Sequence, residues 1–130
     1  MKHSTNYTNA LILPSEDCKA VAKVPTKQGS VAALQYDLLS GGGMTSDDLL
    51  VAVTAIRRDV PQDEEDALRD EIFSKGQPCL RASPLVKTHG WAAYHDADAQ
   101  VSLVDPTSEH FATLMQDSKI AKVKGMKSRR

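Results

Sequence analysis

The sequence predicts an α+β domain, in which a small antiparallel sheet is covered mainly on one face by helices. Three observations carry this. Residues 90–104 alternate around a polar turn, as an antiparallel hairpin does. Four segments carry apolar residues at helical spacing behind capping residues. A further apolar strand at 5–13 precedes all of them, and strands at both ends with helices between disfavour a doubly wound parallel sheet.

Each element has its own local cause. Tyr7, Ala10, Leu11, Ile12 and Leu13 put apolar groups on both faces of the first strand, as a covered strand requires. Residues 14–28 are rich in lysine and broken by two prolines, so they read as a loop. Ser30 can cap a helix over 31–39, which Gly41-Gly42-Gly43 stops. Those glycines lack the Lys-Ser/Thr pair of a phosphate loop and read as a flexible connector. Thr45 with Asp47 and Asp48 opens a helix at 46–59, lined by Leu49, Val53, Ile56 and Val60 and ended by Pro61. Asp63-Glu64-Glu65-Asp66 opens another at 63–75, capped at Lys75-Gly76, and the short link makes the two a helical hairpin.

Residues 78–82 read as a short strand, placing Cys79 and Arg81 on one side and Leu80 and Ala82 on the other. In the hairpin, a four-residue turn at 96–99 sets Tyr94 opposite Val101 and Ala92 opposite Leu103 as the core face. Asp105-Pro106 starts a helix over 106–117, with Phe111, Leu114 and Met115 as its buried stripe. Residues 122–127 alternate weakly and carry lysines, as an exposed edge strand does.

A chain of 130 residues is one domain, 1–130, with room for a single core. Its 41% hydrophobic and 25% charged content is that of a soluble protein. The net charge of −1 and the lack of aromatics among the terminal lysines argue against nucleic acid. Charge is nevertheless uneven: nine acids and three arginines lie between Asp47 and Glu71, and residues 118–130 form a basic C-terminal segment with six cations and no acid. That pattern suits either a solvated surface or a segment that contacts RNA, the acidic helices or a second copy. The longest apolar run near the start, Ala10 to Leu13, is too short for a leader or a membrane span. A cytoplasmic setting with reduced Cys18 and Cys79 is therefore expected.

Chemistry concentrates in residues 74–91, which hold two glycines, a cysteine, three cations, a histidine and the only tryptophan. Lys75, Gln77, Cys79, Arg81, Ser83, Lys87, His89 and Trp91 are the candidate ligand-binding residues. The leading reading is a non-catalytic module that binds a small anionic ligand or a protein partner there, with Arg81 as a planar anion fork. The competing structural reading pairs Arg81 with a carboxylate of the acidic hairpin. An enzymatic alternative uses Cys79 as nucleophile with His89 or His95 as base, against the plainer role of a buried cysteine as a small apolar group. His3, His89, His95 and His110 have no ligand spacing, so neither metal nor cofactor is expected.

The run Phe73-Ser74-Lys75-Gly76-Gln77-Pro78-Cys79-Leu80-Arg81-Ala82-Ser83-Pro84-Leu85 resembles an uncharacterised family of small bacterial and fungal proteins, known only as a domain of unknown function. Asn6-Tyr7, Thr45 to Leu50, Arg57-Arg58, Lys87, Gly90-Trp91 and Lys122 to Met126 fit it as well, so the resemblance spans nearly the whole chain. It implies one compact cytosolic domain and carries over no catalytic residue. The triple glycine departs from the bulkier loop expected there, and would leave a more open site if that loop lines one.

Overall fold

The computed structural model describes residues 4–16, 18, 21–77 and 79–126. Its sheet consists of β1 (Ala10–Leu13), β2 (Ala92–His95), β3 (Val101–Val104) and β4 (Ala121–Lys124), in the order β3-β2-β1-β4. Leu11 and Ile12 of the central β1 are fully buried, one on each face. The helices are α1 (Val31–Ser40), α2 (Ser46–Arg58), α3 (Glu65–Ile72), α4 (Pro84–Lys87) and α5 (Glu109–Gln116). The predicted α+β class holds.

Helices α1, α2 and α4 cover the face that carries Ile12, Ala93 and Val101. Helix α5 covers the opposite face, over Leu11, Ala92 and Val104. The predicted hairpin forms as α3 lies on the outer side of α2, joined through Val51, Ala55, Leu68, Ile72 and Phe73. Caps explain the helix starts. Ser30 accepts from the Ala33 amide, and Thr45 forms a reciprocal capping box with Asp48.

Several sequence expectations need correction. The sheet is mixed: β1 to β3 are antiparallel neighbours, but β4 pairs parallel to β1, because α5 carries the chain from one edge across to the other. The first strand covers only its apolar end, since Ser4, Thr5 and Asn6 bond instead to Asp47 at the start of α2. Residues 79–82 are no strand. Leu80–Ala82 is a 3-10 turn, after which Ser83 caps α4 with Pro84 in its first turn; Pro78 lies outside the described residues. Helix α3 stops at Ile72, where Phe73 turns inward and Gln77 Nε2 closes the Ile72 carbonyl at 2.8 Å. Helix α5 is capped by Ser108, because the Asp105 carboxylate is taken by Thr107.

The hairpin register also differs by one residue. Ala99 adopts a left-handed φ of 65°, and the Asp96 amide donates to the Gln100 carbonyl, so the loop holds three residues rather than four. A one-residue slip exchanges the faces. His95 opposite Val101, and Ala93 opposite Leu103, therefore face α1 and α2, while Tyr94 faces α5.

Candidate functional site

The loop's chemistry does not converge on one point. The turn at 80–82 and the short α4 behind it separate the side chains. Lys75 is exposed past the end of α3, and Gln77 is spent on the Ile72 carbonyl. Arg81 turns toward the end of β4, where its Nε donates to the Lys124 carbonyl at 2.6 Å. Its own carbonyl accepts from the Met126 amide at 2.8 Å. Among the described residues no carboxylate pairs with this arginine, and its Nε is taken by a backbone carbonyl. It ties the 80–82 turn to the sheet edge.

Lys87 ends α4. His89 shares hydrogen bonds with Thr88 Oγ1 at 2.9 Å and the Pro84 carbonyl at 3.1 Å, and it borders a hollow beside Pro25 and Ser30. Trp91 Nε1 donates to the Lys23 carbonyl at 2.8 Å, and its ring leans on Tyr36.

Cys79 and Ser83, by contrast, come together. They form one wall of a cleft of about 190 Å³, whose other walls are α1 and the start of α2. Thr5, Gln35 and Ser46 complete its polar lining, and Leu49, Leu50 and Leu80 supply apolar surface. Among the described residues no charged side chain lines it. Cys79 shares no hydrogen bond with His89, which borders a different hollow, or with His95, so neither expected nucleophile–base pair is hydrogen-bonded.

Each polar group of the cleft is held by a neighbour. Ser83 Oγ donates to Gln35 Oε1 at 2.6 Å and accepts from the Leu85 amide at 3.1 Å. That leaves Gln35 Nε2 without an acceptor among the described residues. Thr5 Oγ1 and Ser46 Oγ share a hydrogen bond at 2.8 Å. The Cys79 thiol meets the Tyr7 hydroxyl at 3.3 Å. That bond and partial burial hold the Tyr7 hydroxyl above its ordinary value of 10.0, so it stays protonated and offers no base to the thiol.

Tyr7 also leads inward. Its ring meets His95 edge to face, with centroids 5.3 Å apart. His95 is fully buried, and neither ring nitrogen has a hydrogen-bond partner among the described residues. Burial pushes its pKa down to about 4, against a smaller opposing pull from Asp96, so it is neutral at physiological pH.

Sequence reading missed Thr5, Gln35 and Ser46, since nothing in a linear chain sets Gln35 opposite Ser83. It left open whether the basic segment is solvated or contacts the acidic helices. Lys124 instead pairs with Glu16 at 2.8 Å, and Lys122 donates to the carbonyls of Asp117 and Ile120. The acidic hairpin pairs with its own arginines, Arg58 with Glu71 and Arg69 with Asp48. Lys127, Arg129, Arg130 and His3 lie outside the described residues. Among the described residues no group of three or more His, Cys, Asp or Glu side chains is gathered as a metal site needs, and no helix is long and apolar enough to cross a membrane.

The model of a family described as "Family of unknown function (DUF6157)" matches residues 2–130, and the chain belongs to that family. No curated protein and no solved structure matches the chain.

Proposed function

We propose that this member of a family of unknown function is a non-catalytic binding module, with its ligand seat in the cleft between α1, the start of α2 and residues 79–84. One observation carries the reading. Five neutral polar side chains, Thr5, Gln35, Ser46, Cys79 and Ser83, edge a partly apolar hollow. A few fixed hydrogen-bonding groups on an apolar wall is the usual composition of a small-molecule site. Gln35 Nε2 is the accessible donor that would orient a ligand.

Cys79 belongs to this seat as a lining group rather than a nucleophile. Its one hydrogen-bond partner among the described residues is a phenol that stays protonated. The same reading takes the 74–85 motif as the family's device for building this wall. It places the protein in the cytoplasm, in keeping with two free thiols. The alternatives, a protein partner at the outer loop or RNA at the basic segment, have less support, because Lys122 and Lys124 of that segment are bonded within the fold.

Disulfide exchange at Cys79 tests the seat. In a Cys18→Ser background, neutral disulfide fragments are equilibrated with the protein and adducts are weighed. Selected fragments are expected to be captured about tenfold above cystamine, which corresponds to roughly 1.4 kcal/mol. Val31→Phe, which fills the cleft from the α1 side, should erase that selectivity. Uniform capture of all fragments, unchanged by Val31→Phe, would reject a formed seat.

A further inference from the structure

The cleft does not end at Gln35. A second hollow of about 430 Å³ shares Val31, Gln35 and Leu50 with it and continues along α2 past Val53 and Thr54 to Arg57 and Arg58. The two hollows adjoin at these shared residues, in line between α1 and α2, and we read them together as one groove. At its near end stand the neutral groups Ser83, Cys79 and Gln35. Its middle is apolar, through Val31, Leu50 and Val53. Its far end is cationic.

The two arginines there are not equivalent. Arg58 donates to Glu71 at 3.1 Å. Arg57 makes no ion pair or hydrogen bond among the described residues, although it is exposed on the last turn of α2. An arginine in that position also suits the negative end of the helix dipole, which is its plainest role. That role does not account for its place on the wall of a groove whose other lining is uncharged or apolar, apart from the already paired Arg58.

From Leu50 to Arg57 the helix rises about 10 Å, at 1.5 Å per residue. An extended aliphatic chain of about eight carbons covers that distance. We infer that the groove takes a medium-chain aliphatic carboxylate, with its anionic head on Arg57, its chain over Val31, Leu50 and Val53, and its far end beside Ser83 and Gln35. Arginine recognises a carboxylate through two parallel N–H donors, and the apolar middle selects against small hydrophilic anions. This rests on the cleft being the ligand seat. It moves the expected anion site from Arg81, whose Nε is used on the Lys124 carbonyl, to Arg57.

Octanoate and its neutral isostere octanamide are the probes, titrated against the full chain by calorimetry or amide shifts. Octanoate is expected to bind about tenfold more tightly than octanamide, as a charge-assisted bond predicts. Arg57→Gln should bring the two within about twofold while octanamide affinity holds. Arg58→Gln should leave the preference in place, which separates a specific head site from net charge. Equal affinity for the two probes in the native chain overturns the carboxylate assignment but leaves the seat standing. So does a preference that survives Arg57→Gln. Binding of neither probe also overturns the assignment, while the disulfide capture at Cys79 decides the seat independently.

Discussion

Acidification from pH 7 to pH 4 is expected to remove about 3 kcal/mol of folding stability through His95 alone. The hairpin register puts this imidazole on the core face, fully buried, with the Tyr7 ring at its edge and Asp96 as the nearest charged neighbour in sequence. Its folded pKa is about 4, against an ordinary value of 6.5. Above pH 6.5 neither the folded nor the unfolded chain holds this proton, and His95 adds no pH dependence. Between 6.5 and 4 the unfolded chain binds it and the folded one does not, so stability falls as pH falls, by about 1.4 kcal/mol per unit. Below 4 both states are protonated and the loss levels off.

The two unpartnered ring nitrogens already cost the native state roughly 1–3 kcal/mol at neutral pH. His95→Leu removes both effects. Urea unfolding of the two proteins at pH 7 and pH 4.5 measures them. The variant should match or exceed the native chain at pH 7, and its advantage should widen as the pH falls. Parallel losses in the two proteins would show that His95 does not titrate as its burial demands. Because His95 lies beneath Tyr7, and Tyr7 holds Cys79, the same acid loss should loosen the cleft.

Gly125→Ala is expected to destabilise the domain by about 2–3 kcal/mol, far more than one added methyl usually does. A Cβ there would stand 2.6 Å from the Leu13 carbonyl oxygen and 3.1 Å from the Ser15 amide, and would collide with Val86 Cγ1. Leu13 cannot retreat freely, since its carbonyl accepts the Gly125 amide at 3.0 Å next to the β1–β4 pairing. The neighbouring residues are those that anchor the cleft wall: Lys124 receives Arg81 Nε, and Met126 bonds to the Arg81 carbonyl and to Ser15 Oγ. Gly41→Ala is the control, because a Cβ there meets only the Leu38 carbonyl, at an ordinary 3.5 Å. Denaturant midpoints decide. A Gly125→Ala loss no greater than the Gly41→Ala change would mean that β1, β4 and α4 do not pack this closely.

Most of the helical architecture was legible because its signals are local. Ser30 and Thr45 are capping residues followed by apolar spacing, and both helices begin where those residues say. The hairpin register was not legible. The three-residue loop needs a left-handed residue, normally glycine or asparagine, and the chain supplies Ala99. That one residue moved His95 from a mixed surface into the core. Ser83-Pro84 carried a helix-start signature, a capping serine before a proline, but reading 78–82 as a strand hid it.

Within the candidate site, Cys79 and Ser83 were visible as unusual residues in an unusual loop. Their partners Thr5, Gln35 and Ser46 were not, because only tertiary packing brings α1, α2 and the N-terminal segment to that wall. The dispersal of Lys75, Arg81, Lys87, His89 and Trp91 has the same origin. A turn followed by a short helix rotates successive side chains to different sides, where an extended strand would have kept alternate ones together.

Amide chemical-shift mapping with a neutral amphiphile, propanamide, asks the central question most directly. If residues 79–84 wall a ligand seat, saturable shifts cluster at Thr5, Gln35, Ser46, Cys79 and Ser83 and disappear in Val31→Phe. Shifts that centre instead on Lys87, His89 and Trp91, or that spread over the surface without saturating, would contradict it.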